Sequence, residues 1–139
     1  MTDQEIIDEV NSWIGTKWMH GVALKGYRTD CVQFIVSIAK KFNWIPVKYE
    51  TPKYSKDYAL HNDNDILLKE IAKFGTKIEG KDFQVGDVLI FKYGRVPHHA
   101  GIYIGDNQIV HANNTEGVRK VDLNTMMKRF NSAWRLKHE

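Results

Sequence analysis

One cysteine and a cluster of histidines are the side chains of this chain best suited to covalent chemistry. Cys31 stands in GYRTDCVQFIVSIAKK (26–41), where a polar loop turns into an apolar run of helical period. His98, His99 and His111 fall within PHHAGIYIGDNQIVHAN (97–113). A helix start offers unpaired backbone N–H groups and the positive end of the helix dipole, and both favour a thiolate. A neighbouring imidazole would take the thiol proton, and a second polar group would fix that imidazole's tautomer and orientation. Such a set performs acyl transfer by cysteine, with a thiol pKa below the ordinary value.

The elements that must bring these residues together are legible as two halves. Thr2 and Glu5 form a capping box, after which Ile6, Ile7, Val10, Trp13 and Ile14 recur at helical spacing until Gly15. A glycine-punctuated loop follows. Cys31, Phe34, Ile35, Ile38 and Phe42 then repeat the helical period, with Thr29 or Asp30 placed to cap, so Cys31 lies in the first turn. The polar stretch HNDND (61–65) precedes a third helical pattern, Ile66, Leu67, Ile71 and Phe74, which Gly75 ends. From residue 76 the pattern changes to short β-branched and aromatic runs: DVLIFKY, HAGIYIG, QIVHAN, VRKVDL and SAWRLK. Helices followed by an antiparallel meander predict one α+β domain over residues 1–139, its sheet packed on the helices.

Parity separates the histidines. A three-residue hairpin loop at 105–107 sets Gly101 opposite His111 and Ile102 opposite Val110. One face then carries Ala100, Ile102, Ile104, Val110 and Ala112, all apolar, and the other carries His99, Gly101, Tyr103, Ile109 and His111. A two-residue loop would mix His111 into the apolar set. His99 rather than His98 is therefore the expected partner of His111, with Gly101 leaving room between the two rings. His20, His61 and His98 read as surface or loop residues, and Tyr54 and Asp57 lie in a loop able to rim a groove.

Composition narrows the classes. The chain has 139 residues, 42% hydrophobic and 27% charged, enough for one domain with a real core. A single cysteine excludes an internal disulfide framework. No apolar run approaches the length of a membrane span, and the acidic, amphipathic start MTDQEIIDEV does not resemble a secretory leader. The chain is thus expected to be made in the cytoplasm without a signal peptide. The net charge of +3 comes from scattered lysines interleaved with acids, without the basic stripe that nucleic acid requires. No cofactor motif and no short-spaced pair of metal ligands is present, and nothing in the pattern sets the oligomeric state.

The blocks TDCVQFI, VGDVLIFKYG, HHAGIYIG and QIVHA, in this order, resemble the NlpC family of cell-wall cysteine peptidases. GTKWMHG and YSKDYALHNDNDILLKEI are similar to the phage-associated branch of that family. The resemblance implies a papain-like α+β fold, with Cys31 as nucleophile, His99 as general base and His111 as third member. It places Asp30 where the family receives the substrate peptide and Trp18 near the oxyanion. It further implies hydrolysis of γ-D-glutamyl and neighbouring bonds of bacterial peptidoglycan stem peptides, action at the cell wall, and phage tail proteins as partners. Relatives that cleave peptidoglycan usually follow Asp-Cys with Ser-Gly, whereas this chain reads Val32-Gln33. Val32 cannot donate the hydrogen bond of a serine, and Gln33 is bulkier than glycine.

Three other readings stay open beside the peptidase. A lipid acyltransferase uses the same residue kit, but in that permuted superfamily the histidine precedes the cysteine. A zinc site from Cys31, His99 and His111 lacks the usual ligand spacing. A structural phage tail component that keeps the fold without turnover is the reading that Val32 and Gln33 sustain.

Overall fold

The structure, a computed structural model, describes residues 1–54, 66–94 and 97–137. HNDND, Asp57 and His61 lie outside the described residues. The first helix, α1 (Asp3–Asn11), opens on the capping box of Thr2 and Glu5. It ends before Trp13 and Ile14, and the turn to Gly15 leaves Trp13 in the core but Ile14 43% exposed. The stretch expected as a loop instead holds three two-residue strands, β1 (Lys17–Trp18), β2 (Ala23–Leu24) and β3 (Arg28–Thr29), paired in the order β1-β3-β2. Helix α2 (Cys31–Lys41) follows directly from β3, and α3 (Ile66–Phe74) ends at Gly75 as its pattern predicts.

The remaining strands are β4 (Thr76–Ile78), β5 (Val88–Lys92), β6 (Pro97–Tyr103), β7 (Gln108–Asn113), β8 (Gly117–Asp122) and β9 (Phe130–Arg135). Their order is β4-β9-β5-β6-β7-β8, antiparallel throughout. Strands β5 to β8 are the expected meander. The last strand departs from it: β9 inserts between β4 and β5 rather than extending the sheet beyond β8.

The β6–β7 hairpin has the register that parity selects, with Gly101 opposite His111, Ile102 opposite Val110 and Tyr103 opposite Ile109. Its apolar face packs Ala100, Ile102, Ile104, Val110 and Ala112 against Phe34, Ile35 and Ile38 of α2. The reverse face is not polar throughout. Ile109 is buried there with Leu89, Phe91, Leu123, Met126 and Ala133, a second apolar cluster that leaves the histidine end of the face as its polar part.

Candidate active site

Cys31 is the first residue of α2. Asp30, the helix cap, has extended backbone and accepts the Gln33 N–H at 2.8 Å through Oδ1. Phe34 N–H closes on the Asp30 carbonyl at 2.9 Å. The capping bonds thus engage Gln33 and Phe34, while the Cys31 and Val32 N–H groups act on the Cys31 sulfur. The strand β3 that leads into Asp30 pairs with β1, Trp18 standing opposite Thr29, and this small sheet carries Trp18 to the same site.

The two histidines come from adjacent strands. His99 Nε2 lies 2.8 Å from His111 Nδ1, the rings nearly perpendicular. This bond occupies Nε2 of His99 and leaves Nδ1 as its ring nitrogen for a further partner. His98 escapes the parity rule because β6 bulges there: Phe91 pairs with His99 and Lys92 with Pro97, which leaves His98 as the extra residue. Its Nε2–H donates to the Tyr93 carbonyl at 2.6 Å, so the ring turns back to the preceding loop. Its own carbonyl accepts the Cys31 thiol at 3.7 Å. The Tyr93 ring contacts both His98 and His99 edge-on and carries the Arg129 guanidinium on its face.

One cavity of about 280 Å³ joins these groups. Trp18, Asp30, Cys31, His99 and His111, the five residues singled out by sequence, all line it. So do His20 and His98, read from the sequence as surface or loop residues, together with Tyr54, Tyr93, Asn113 and Asn114. At Gly101, opposite His111, a Cβ would meet the Ile109 side chain and the Val110 carbonyl oxygen. His20 gave no sequence signal because its loop has no period; Tyr93 and Asn114 lie one residue beyond the ends of β5 and β7, outside the patterned runs.

Electrostatics overturn one expectation. The Cys31 thiol is pushed up to about 12, first by burial and then by the Asp30 charge, against the smaller pull of the Ala100, Cys31 and Val32 N–H groups. Burial, then His111 and His98, pushes His99 down to about 3. His111 is lowered by burial and by Arg119 across the β7–β8 pair. A helix start favours a thiolate in water, but here desolvation of both partners outweighs it. Cys31 and His99 therefore rest as neutral thiol and neutral imidazole. Among the described residues, no three His, Cys, Asp or Glu side chains converge in an arrangement able to hold a metal ion.

A cysteine at the start of a helix, set against an antiparallel sheet that presents a histidine pair, defines an α+β protein of papain-like arrangement. Residues 13–135 match the NlpC/P60 family, and the chain belongs to that family. It is 28% identical to the "Probable endopeptidase NlpC" of Escherichia coli strain K12 over 133 residues, 93% of this chain and 75% of that protein. It is 36% identical over 69 residues to the "Murein DD-endopeptidase MepS/Murein LD-carboxypeptidase" of the same strain, covering 48% of this chain and only 37% of that protein. It is 36% identical over 101 residues to the "Gamma-DL-glutamyl hydrolase" of Bacillus subtilis strain 168, covering 62% of this chain and 24% of that protein. Among solved structures, the NlpC/p60 domain of the peptidoglycan hydrolase SagA superposes with a TM-score of 0.68 at 18% identity, covering 97% of this chain and 99% of that one. A family member from Bacillus cereus ATCC 10987 gives 0.70 at 21% identity, covering 98% of this chain and 40% of that one. These two likenesses support the α+β fold. No helix among the described residues is long and apolar enough to cross a membrane.

Proposed function

We propose that this chain is a cysteine peptidase or amidase that hydrolyses peptide bonds of bacterial peptidoglycan stem peptides, γ-D-glutamyl bonds among them. The observation that carries the reading is the shared cavity of Cys31 and the 2.8 Å His99–His111 pair, in a chain whose relatives include one named a murein DD-endopeptidase and one named a gamma-DL-glutamyl hydrolase.

In this reading Cys31 Sγ attacks the amide carbon as its proton passes to His99 Nδ1. That transfer requires the neutral His99 to carry its hydrogen on Nε2, donating it to Nδ1 of His111; the lowered pKa of His111 keeps that acceptor free. With thiol and imidazole both neutral at rest, the proton leaves during attack rather than before it. The oxyanion forms beside the Cys31 N–H at the helix start, with Trp18 bounding the site. His99 returns its proton to the leaving amine, which gives a thioester. Water, deprotonated by His99, then attacks the thioester, and the thiol leaves with the proton. Asp30, which lines the cavity and holds the helix start, is the residue this reading assigns to receiving the substrate peptide.

The phage setting rests on the resemblance of GTKWMHG and YSKDYALHNDNDILLKEI alone, and most of the second stretch lies outside the described residues. The test of the reading is digestion of isolated sacculi with mass analysis of the fragments, using Cys31→Ala as the control. New termini on stem peptides, absent with the variant, support hydrolysis and identify the bond. Unchanged sacculi favour the structural reading that Val32 and Gln33 sustain.

A further inference from the structure

Asn113 lines the described cavity but has no part in the mechanism above. It ends β7 two residues after His111, so by alternation it shares the histidine face of the sheet. The register that sets Gly101 opposite His111, carried on by two residues, brings Asn113 alongside His99. On its other flank Asn113 pairs with Gly117, which has no side chain and against which the Thr16 carbonyl packs.

The Asn113 amide has a fixed sense. The Thr115 and Glu116 N–H groups both donate to its Oδ1, at 2.7 and 3.0 Å, in the turn that leads to β8. Only the amide oxygen can accept these two bonds, so the nitrogen takes the other position. Oδ1 is thereby filled, and Nδ2 is left as a donor without a hydrogen-bond partner among the described residues. Among those residues no lysine or arginine lines the cavity, so a substrate carboxylate would meet no cation there. An uncharged N–H donor of fixed direction suits a neutral carbonyl oxygen.

We infer that Asn113 Nδ2 binds the carbonyl oxygen of the residue on the leaving side of the scissile bond, and so selects an amino acid or peptide as leaving group over a simple amine. The inference rests on the hydrolase reading above. In that reading His99 gives its proton to the leaving amine, and Asn113 is the polar neighbour of His99 on the same face of the sheet.

The experiment uses a pair of substrates built on the bond that the unaltered protein cuts in sacculi, one keeping the leaving-side carbonyl and the other lacking it. At a γ-D-glutamyl bond these are L-Ala-γ-D-Glu-L-Lys amide and L-Ala-γ-D-Glu-cadaverine. Asn113→Asp keeps an oxygen for Thr115 and Glu116 but replaces the donor by an acceptor. It should lower kcat/KM for the lysine peptide about tenfold more than for the cadaverine one, chiefly through KM. The charge it adds near His99 acts on both substrates and cancels in the comparison. Asn113→Ala, which also loses the turn bonds, should show the same selective loss. Equal losses on the two substrates would assign Asn113 to the turn alone and overturn the inference, while cleavage by the unaltered protein would still support the hydrolase reading. Sacculi and both peptides left intact by the unaltered protein would remove both.

Discussion

His99 Nε2 and His111 Nδ1 lie 2.8 Å apart, across two strands whose register places His111 opposite Gly101 and next to the His99 position. In the proposed mechanism His99→Ala removes the proton acceptor and should lower turnover by about two to four orders of magnitude. His111→Ala should cost less, since His99 survives without its orienting partner. His98→Ala should cost least: it loses the bond to the Tyr93 carbonyl but keeps the backbone carbonyl that faces Cys31. Rates of the three variants on one stem peptide check the order, and a His98 variant more damaged than the His99 variant would sink the assignment.

Alkylation of Cys31 should be slow at neutral pH. With the thiol pushed up to about 12 by burial, iodoacetamide should react more slowly than with a free cysteine. The rate should climb about tenfold per pH unit above neutrality. A plateau already reached near pH 7 would mean that a preformed thiolate exists and that the proton leaves before attack.

Stability should fall on the acid side earlier than carboxylates alone would cause. His99 is held near 3 in the folded chain against an ordinary value of 6.5, so between these values the unfolded chain binds the extra proton. The contribution is complete above the upper value and is lost as pH falls through the window. His111, lowered in the same direction, adds to it. The melting temperature should therefore drop between pH 7.5 and 5, and His99→Gln should flatten that drop whatever its effect at pH 7.5.

The hairpin register was legible because one face of 100–112 is uniformly apolar and a one-residue slip would bury His111 among Ile102 and Ile104. The helix start at Cys31 was legible from Asp30 and the period of Phe34, Ile35 and Ile38. Other features depend on tertiary context. Strands of two residues, such as Lys17–Trp18, show no period, and the insertion of β9 beside β5 is a nonlocal pairing. The bulge at His98 defeats counting by twos. The rise of the Cys31 pKa comes from strand β6 covering the helix start, which local sequence does not display. Tyr54 reaches Asp30 across 24 positions of chain, and neither residue type announces the other.

Gly101 is required by its neighbours rather than by its backbone angles. A Cβ there would come within 2.8 Å of Ile109 Cδ1 and 3.0 Å of the Val110 carbonyl oxygen. Ile109 is fully buried, so the collision cannot be relieved into solvent. Gly101→Ala should destabilise by about 1–3 kcal/mol in chemical denaturation. The companion change Ile109→Val, which shortens the obstructing side chain, should recover part of the loss. An unaffected single variant would show that this stretch of the hairpin yields more readily than its packing implies.

Asp87, in the block VGDVLIFKYG, has a structural task that the family resemblance does not reveal. It is fully buried, and Arg135 of β9 donates to it through Nε and one terminal nitrogen, both at 2.8 Å. Its Oδ2 also accepts the Gln84 N–H at 2.8 Å. The pair joins the turn before β5 to the strand inserted beside it. Removing Arg135 leaves a buried carboxylate with one backbone donor, a situation that costs about 3–5 kcal/mol. Arg135→Met should therefore lower the unfolding free energy by that order, while Arg135→Lys, which keeps the charge but not the two-pronged geometry, should lose less. Adding Asp87→Asn to Arg135→Met should restore part of the stability, because the orphaned charge is gone. Denaturation of the four proteins checks this order. The alkylation rate of Cys31 in the folded variants should match that of the parent, since neither residue lines the cavity. A faster thiol in Arg135→Met would instead tie this ion pair to the burial of the nucleophile.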